Sequence, residues 1–485
     1  MMLQAVLWII ITAAAGFFLV ACLLPPLQPV WAGRIVALSL GTGIGFGLAS
    51  AATFALLFVT GPSPAAIIIT DSAILLITAL FYVRHRSGLS GLNSGPALQQ
   101  PAPNSRGLCV LAAGFIVISI AAVYLFTSIS LFLPEGYADA WGIWNLRARF
   151  LYRGGEGWQS VFSPLVTHSE YPYLVSASVF RGWCYAGRES VLVPILLGGI
   201  FTFAIPLLLL AAMAHIRSAS QGMLASLLLL GMPYFIYQGA GQYADTPLAF
   251  FILATLILVA LHDRAGAASP RLLVCAGLTA GLACWTKNEG LLFLFALMSA
   301  RVLSALLLHR TKNLGADMLF FALGLLPVLL VLVYFKTQAP FNDLFSPSYS
   351  RLAAIASHLL SGSRYLYVLQ KFIEQGLTFH MFIMSPLPVL ALYLFCMGAR
   401  VQPQDRNFLL TAALCLCIMA VGYFFIYVIT PRNLDWHIRT SLNRLLLHLW
   451  PAVVLVFFLI AKAPQKPVGE LDRPQGDMEN ALPDG

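Results

Sequence analysis

The stretch CVLAAGFIVISIAAVYLFTSISLFLPEGYADAWGIWNLRARFLY, residues 109–152, sets the fold class. It opens with about 25 mostly apolar residues, which is enough for an α-helix to cross the hydrocarbon core of a bilayer. The apolar run ends at Leu133, and Asp139, Trp141, Trp144 and two arginines follow it. This pattern predicts an all-α membrane protein in which a polar, aromatic segment lies at the end of a membrane helix.

Composition extends this prediction to the whole chain. Of the 485 residues, 59% are hydrophobic and only 10% are charged, whereas soluble domains carry roughly 25% charged residues. The formal charge of +9 includes no Lys/Arg-rich run and no basic patch interleaved with aromatic residues, so no nucleic-acid partner is expected. The eight cysteines form no CxxC pair and have no zinc-ligand spacing, so no disulfide framework is expected.

Apolar runs of spanning length recur along the chain and predict about thirteen transmembrane helices in a polytopic membrane protein. The runs fall at about residues 5–24, 35–59, 65–83, 107–133, 190–214, 222–237, 246–261, 271–286, 290–308, 317–335, 379–398, 408–429 and 446–462. Several neighbours are separated by only a few residues, so they should form antiparallel hairpins.

Basic residues in the short loops predict the orientation. They fall on alternate connections, which are cytoplasmic by the positive-inside rule. The N-terminus is then outside the cytoplasm and the C-terminus inside. The exception is the stretch 430–445, which carries Arg432, Arg439 and Arg444 on the outer side. Because the positive-inside rule does not account for arginines on the outer side, they are the most informative charges in the chain.

Two long outer connections and one linker divide the chain into predicted units. Loops of this kind are where functional residues concentrate. The units are a three-helix transmembrane unit at 1–83, a Gly/Ser/Pro-rich cytoplasmic linker at 84–106, a transmembrane core at 107–335 with an outer loop at 134–189, an outer loop at 336–378, C-terminal transmembrane helices at 379–463, and a disordered cytoplasmic tail at 464–485.

Four polar clusters are predicted to meet on the outer side. Their main members are Asp139 with His168, Glu170 and Tyr171; Asp245; Lys287 with Glu289; and Arg439 with Arg444. Carboxylates at a membrane surface can act as a general base or hold a divalent cation. Arginine and lysine can bind a phosphate group. The combination therefore indicates chemistry on a lipid-linked phosphate.

Each cluster also has a purely structural interpretation. Asp139 could cap a surface helix whose tryptophans lie in the membrane interface. Asp245, two residues before Pro247, has the form of a helix cap. Lys287, at the end of a span, could extend its side chain toward the headgroups with Glu289 as its ion-pair partner. Only the gathering of all four clusters on one side favours a site.

Residues 107–462 resemble the polytopic GT-C glycosyltransferases, in particular the bacterial branch related to protein O-mannosyltransferases and lipid A aminoarabinose transferases. The resemblance is carried, in this order, by YADAWGIWNLRARFLY, HSEYPYL, YADTPLAFF, WTKNEG and SLNRLLLHLWP. In that family the catalytic loop usually follows the first helix. Here it follows the fourth predicted span, so the first three helices resemble an added unit.

The resemblance implies an inverting glycosyltransferase in the inner membrane of a bacterium, with a GT-C-like core and a first outer loop that contains amphipathic interfacial helices. Its donor would be a polyprenyl-phosphate sugar, and its acceptor a lipid, a glycan or a protein at the periplasmic side. By position, Asp139 would be the general base. The resemblance assigns substrate binding to Lys287, Arg439, Arg444, His168, Glu170, Tyr171, Trp141 and Trp144, and divalent-metal binding or sugar orientation to Asp245 and Glu289.

Three other functions remain open from the sequence. A transporter or flippase of a lipid-linked sugar would place charge near the bilayer midplane, where only Asp71 and Arg301 are candidates. An O-antigen-ligase-like transferase would use the same class of donor without an aspartate base. A non-catalytic scaffold would leave the outer arginines and carboxylates without a role.

Overall fold

The computed structural model describes residues 2–89, 105–265, 269–339, 349–379 and 386–463. These residues are almost entirely helical, and the described part contains no strand beyond one isolated bridge between Ala399 and Ala461. The prediction of an all-α protein is therefore confirmed. Most of the predicted linker and the predicted tail, as well as residues 340–348 and 380–385, lie outside the described residues.

Eighteen α-helices follow one another along the described chain. They are α1 (Met2–Leu23), α2 (Val30–Thr60), α3 (Pro64–Leu89), α4 (Ser105–Phe132), α5 (Asn145–Arg153), α6 (Leu174–Ala186), α7 (Leu192–Ile216), α8 (Ala219–Leu230), α9 (Pro233–Ala240), α10 (Asp245–Ala265), α11 (Pro270–Thr286), α12 (Glu289–Leu307), α13 (Leu314–Gln338), α14 (Tyr349–Leu359), α15 (Gly362–Thr378), α16 (Pro386–Met397), α17 (Arg406–Ile429) and α18 (Leu434–Ile460).

Ten described helices are long and apolar enough to cross a membrane, which supports a multi-pass membrane protein. The pair α8 and α9 would be an eleventh span, bent by 65° where Pro233 starts the second helix. Proline lacks the amide hydrogen that would continue the helix, which explains the break. Helices α11 and α16 are apolar but shorter. The count of thirteen stays a prediction.

Helix α10 forms the centre of the bundle. Every residue in its apolar 18-residue stretch is buried, and the helix packs against α7, α11 and α18. A helix that is apolar all round is stable where either other helices or lipid surround it, and α10 is surrounded by other helices. The first residue of α10 is Asp245, which is fully buried. The central helix therefore begins at a buried carboxylate. We call the face of the bundle at which it begins the site face.

The first helices are part of this bundle. Helix α2 packs against α1, α6 and α7, and Trp8 of α1 is fully buried beside Gly182 of α6. By contrast, only 11% and 6% of the residues in the apolar 18-residue stretches of α3 and α4 are buried. These two helices therefore offer most of their surface to lipid. The predicted boundary of the N-terminal unit at residue 83 stays a prediction.

The predicted outer loop at 134–189 is folded, and half of its residues are buried. It contains a π-helical turn (Ala140–Trp144), α5, a 3₁₀ helix (Gly155–Phe162) and α6, of which every residue is buried. The sequence predicts that Trp141 and Trp144 share an apolar stripe at the membrane interface. The structure instead buries Trp144 completely against protein and leaves Trp141 55% exposed. The wider π-helical turn accounts for the difference, because it shifts the faces of successive residues.

The second outer connection includes one amphipathic helix. Leu366 and Ile373 of α15 are exposed on an apolar face. Arg364 ties the helix to the bundle through the Thr430 carbonyl at 2.8 Å, and the Tyr367 hydroxyl donates to Asp435 at 2.8 Å. Helix α15 is therefore attached to the site face, beside the start of α18.

Candidate functional site

Two loops meet at the site face because glycine permits a close approach. Gly136 has a φ of +73°, and a side chain on it would lie 2.7 Å from the Gly241 carbonyl. The Tyr137 amide donates to that carbonyl at 3.3 Å, and the Gln242 side-chain amide donates to the Pro134 carbonyl at 2.9 Å. These contacts hold the segment that carries Asp139 against the loop that leads into α10.

Five charged side chains from four segments form a continuous chain of ion pairs, which we call the site-face network. Arg444 contacts Asp139 at 2.7 Å and Asp245 at 2.9 Å. Lys287 contacts Asp245 at 3.1 Å and Glu289 at 2.9 Å. The order Asp139, Arg444, Asp245, Lys287, Glu289 therefore alternates negative and positive charge, so each cation is shared by two carboxylates.

Asp139 does not act as a helix cap. The π-helical turn after it receives no capping hydrogen bond from its side chain, and its carboxylate instead pairs with Arg444. The structural interpretation of Asp139 that the sequence allows is therefore wrong. The carboxylate is 29% exposed, so it remains open to a molecule in the site.

Asp245 positions cations. Besides Arg444 and Lys287, His448 contacts it at 2.6 Å, and the Tyr423 hydroxyl lies 3.3 Å from the other ring nitrogen of His448. Its oxygens are thus occupied by donors from three side chains. Within the described ranges, no group of three or more His, Cys, Asp or Glu residues has the geometry to hold a metal ion. The expectation that Asp245 and Glu289 bind a divalent cation gains no support from this arrangement.

The site-face network borders a cavity of about 650 Å³. Its lining combines charged, polar and apolar side chains. The charged and polar residues include Asp139, His168, Glu170, Lys287, Glu289 and Arg444, and the apolar residues include Ile143, Leu292, Ile426 and Leu445. Most of these apolar residues belong to α12, α17 and α18. A cavity with this mixed lining suits an amphiphilic molecule.

The outer loop contributes an aromatic stack to the cavity. The rings of Trp144 and Tyr171 stack with centroids 5.6 Å apart, and the imidazole of His168 stacks on the other side of Tyr171 at 4.8 Å. His168 Nδ1 lies 3.1 Å from Glu170. His168 also has a φ of +53°, a conformation that non-glycine residues rarely adopt. The local backbone therefore holds the imidazole at the cavity wall.

Charges around the cavity fix several protonation states. Burial lowers the pKa of Lys287, but the Asp245 and Glu289 carboxylates outweigh this and raise it above its ordinary value. Burial raises the pKa of Glu170, but its hydrogen bond with His168 and nearby charges lower it below its ordinary value. Burial, followed by the Asp139 charge, raises the pKa of Tyr243 to about 12. At neutral pH, Lys287 is a cation, Glu170 an anion and Tyr243 a neutral phenol.

Four of the predicted site residues do not line the cavity: Arg439, Trp141, Trp144 and Asp245. Arg439 is 73% exposed and pairs with Asp435 on its own helix. It therefore does not share the position of Arg444, and its predicted role in phosphate binding is not supported by its location. Trp141 faces outward, and Trp144 lies behind Tyr171. Asp139, His168, Glu170, Tyr171, Lys287, Glu289 and Arg444 all line the cavity.

Five residues to which the sequence assigned no role also line the cavity. They are Arg432, Trp436, His437, Tyr243 and Asn288. The guanidinium of Arg444 lies over the Tyr243 ring at 4.4 Å. His448, which contacts Asp245, could have been found from its spacing. It follows Arg444 by four residues, and such pairs lie on the same face of a helix.

A second group of ion pairs lies at the other end of the bundle, and we call it the opposite-face network. Arg264 contacts Asp405 at 2.7 Å, and Arg217 contacts the same carboxylate at 3.1 Å. Arg301 contacts Asp263 at 2.5 Å, where α10 ends. Arg301 therefore lies beside the end of α10.

Comparison with protein-family models, with curated proteins and with solved structures found no match for this chain. The function must therefore be inferred from the site itself.

Proposed function

We propose that this protein is an inverting glycosyltransferase that moves a sugar from a polyprenyl-phosphate donor to an acceptor. The observation that supports this proposal most is the cavity at the end of the helix bundle, whose lining includes both apolar and charged side chains. The apolar side chains suit the first isoprene units of the donor. Arg444 and Lys287, among the charged side chains, suit its phosphate. The orientation predicted from the loop charges would place this reaction at the periplasmic face of a bacterial inner membrane.

Asp139 is the proposed general base, and its pairing with Arg444 gives the donor phosphate a role in catalysis. In the structure, the guanidinium of Arg444 occupies the Asp139 carboxylate at 2.7 Å. A bound phosphate competes with Asp139 for the same guanidinium. Arg444 keeps its position when Asp139 leaves, since Nε and Nη2 both contact Asp245. Donor binding therefore frees Asp139 to accept a proton.

The proposed reaction is a single displacement. The acceptor hydroxyl gives its proton to Asp139 while its oxygen forms a bond to the anomeric carbon. The bond from that carbon to the phosphate oxygen breaks, and its electron pair stays with the polyprenyl phosphate. Positioned cations stabilise the charge that develops on such a leaving group. Arg444 and Lys287 are the cations in place for this role.

The flippase alternative has less support. It requires space for a polar headgroup within the membrane, but the buried pair of Asp71 and Arg181 borders a cavity of only about 20 Å³. That cavity is smaller than a sugar. The ion pair, at 2.6 Å, instead connects α3 to α6.

The proposal is tested with purified protein in lipid vesicles and a panel of radiolabelled polyprenyl-phosphate sugars, each offered with a mixture of lipid, glycan and peptide acceptors. Native protein is compared with Asp139→Asn, which keeps the shape of the side chain and removes its basicity. The matched control is Glu135→Gln, in the same loop, whose carboxylate is 49% exposed and pairs with Arg149.

Native protein and Glu135→Gln are expected to consume one donor of the panel. Asp139→Asn should be slower by about 10²- to 10⁴-fold, the usual contribution of a general base. Equal consumption by all three proteins would refute Asp139 as the base. Movement of an intact donor across the vesicle membrane, without transfer, would replace the proposal with the flippase function.

A further inference from the structure

The chain has to pass from the site face to the opposite end of the bundle between α13 and α17. Near the end of α13, Lys336 donates to Asn288, which lines the cavity, at 2.7 Å. Asp405, the residue before α17, belongs to the opposite-face network. Helix α16 lies between them but has only 12 residues, about 18 Å, whereas the hydrocarbon core of a bilayer is about 30 Å thick. Helix α16 therefore cannot make this crossing alone.

Helix α15 runs alongside the first part of α18. Near its start, the Tyr367 hydroxyl donates to Asp435 in the first turn of α18. Just after its end, the ring of Phe379 lies 5.2 Å from the ring of Trp450. The two contacts are separated by about 18 Å along α15 and by about 22 Å along α18, at 1.5 Å per residue. Helix α15 therefore descends from the site face in the same direction as α18.

Helix α16 continues this path beside the last part of α18. The ring of Tyr393 contacts the rings of Phe457 and Phe458, with centroids 5.9 and 5.5 Å away. The Tyr393 hydroxyl donates to the Lys462 carbonyl at 3.1 Å. Helices α15 and α16 therefore follow one another along a single membrane span, from its start at the site face to its end.

One face of α15 is apolar and exposed. Its large side chains recur every three or four residues, which places them in one stripe along the helix. They are Leu366, Leu369, Ile373 and Leu377. Beside α15, Phe425 of α17 is also exposed, and its ring lies 6.4 Å from that of Tyr365. The exposed apolar surface of α17, a helix long and apolar enough to span the membrane, thus continues onto α15.

The charged residues of α15 are paired or lie near the site face. Lys371 contacts Glu374 at 2.7 Å, and the Gln370 amide donates to the same carboxylate at 2.7 Å. The Lys371 ammonium also lies 5.6 Å from the centre of the Tyr367 ring, one turn nearer to the site face. Arg364 donates to backbone carbonyls at the end of α17. Long charged side chains that extend toward the membrane surface are compatible with a helix among lipid chains.

We propose that α15 and α16 are the two halves of one discontinuous membrane span, and that the apolar stripe of α15 contacts the acyl chains of the leaflet at the site face. This arrangement replaces the outer-loop position predicted for residues 362–378. It places lipid on one side of α15 and, on the other, the helices α17 and α18, which contribute Ile426 and Leu445 to the cavity. The proposal is independent of the transferase function, because it follows from helix contacts and lengths alone.

The first test measures the depth of the stripe in the bilayer. A fluorescent amino acid is incorporated, one position at a time, in place of Leu366, Ile373 or Leu377 in the full chain, which is then placed in phosphatidylcholine vesicles. Quenching is measured with iodide in the water and with lipids that carry a spin label at carbon 5 or carbon 12 of an acyl chain. Leu330 of α13 is the lipid-facing control, and Glu156 is the water-exposed control.

Iodide should quench the three stripe positions at least about fivefold less than the Glu156 position. The label at carbon 12 should quench the Leu377 position at least about twofold more than the Leu366 position, because the helix descends into the leaflet. Equal, shallow quenching at all three positions would show a helix that lies flat on the membrane and would overturn the proposal. Quenching by iodide as at Glu156, or by neither reagent, would place the stripe in water or against protein and would overturn it as well.

The second test compares two exposed leucines without a label. Leu377→Asp would put a carboxylate among acyl chains, which is costly, whereas Leu165→Asp changes an exposed leucine of the loop at 134–189. Leu377→Asp is expected to lower the apparent melting temperature in vesicles by several degrees relative to Leu165→Asp. Equal melting temperatures for the two variants and native protein would contradict contact between the stripe and lipid.

Discussion

The two ends of the helix bundle have similar ionic chemistry but different surroundings. The site-face network borders a cavity of about 650 Å³, whereas the cavity beside Arg301 and Asp317 in the opposite-face network has a volume of about 10 Å³. Both networks centre on a buried carboxylate, Asp245 at 0% and Asp405 at 2% exposure. Buried ion pairs therefore do not identify a functional site in this protein. A site is indicated where the shared cations also border space for a ligand.

The largest effect is expected when the central carboxylate of each network is removed. Asp245→Ala leaves Lys287 and Arg444 buried with one partner fewer, and Asp405→Ala does the same to Arg217 and Arg264. Removing one member of a buried ion pair typically costs about 3–5 kcal/mol. We expect both variants to lower the apparent melting temperature of the solubilised protein, followed by tryptophan fluorescence.

Activity should separate these two variants. Asp245→Ala is expected to abolish sugar transfer, because both cations proposed to bind the donor phosphate lose their common partner. Asp405→Ala should retain most of the transfer measured per folded molecule. The distinction between the networks would be refuted if folded Asp405→Ala lost transfer to the same extent as Asp245→Ala.

A smaller effect is expected from a methyl group added at two equivalent helix positions. Gly290 and Gly315 are the second residues of α12 and α13. An added Cβ at Gly290 would lie 2.1 Å from the Ala283 carbonyl, whereas nothing lies within 4 Å of one at Gly315. Gly290→Ala should cost about 1–3 kcal/mol through local overpacking. It should also reduce transfer, because the turn that it distorts carries Lys287 and Glu289.

Gly315→Ala serves as the matched control. Replacing an unconstrained helical glycine by alanine is neutral or stabilising by about 0.5–1 kcal/mol. Thermal unfolding and donor consumption are measured for both variants. Unchanged activity in Gly290→Ala would show that the geometry of the Lys287 turn does not matter for transfer.

The sequence predicted much of the fold and that the site residues lie together, but not which of them form ion pairs with one another. Hydropathy was sufficient to predict the helical class. The predicted membrane side of each loop was sufficient to predict that Asp139, Lys287 and Arg444 lie close together. No pattern showed that Arg444 is shared between Asp139 and Asp245, since the two contacts join residues 305 and 199 positions apart. Such contacts depend on how helices pack, which a single sequence does not specify.

Helix geometry could have prevented one error in the prediction, the assignment of Arg439 to the site. Arg439 and Arg444 are five residues apart, which separates them by about 140° around an α-helix with 3.6 residues per turn. Both side chains therefore could not face one cavity. The shift of Trp141 away from Trp144 was not predictable in this way, because it depends on a π-helical turn that has no clear sequence signal.

The smallest expected effect concerns the ionisation of Glu170, which lines the cavity. The pKa of Glu170 is lowered in the folded protein, so its ionised form stabilises the fold at pH values above the ordinary glutamate pKa of about 4.3. This contribution is lost as the pH falls through the lowered pKa. The melting temperature of native protein should therefore drop more than that of Glu170→Gln as the pH is lowered from about 5 to about 3.

Glu156→Gln is the control for this pH series, because Glu156 is an exposed glutamate of the same outer loop. Its melting temperature should follow that of native protein throughout. Parallel curves for native protein and Glu170→Gln would contradict the contribution assigned to the contact between Glu170 and His168.

The central claim is that the site-face network serves chemistry and the opposite-face network serves stability. The most direct test compares Arg444→Gln with Arg264→Gln, since these arginines are 16% and 15% exposed and each binds a buried aspartate. Donor consumption per folded molecule is measured for both. We predict a loss of about 10²- to 10³-fold for Arg444→Gln, as for the removal of one transition-state donor, and near-native activity for Arg264→Gln. Comparable activity in the two variants would contradict the claim.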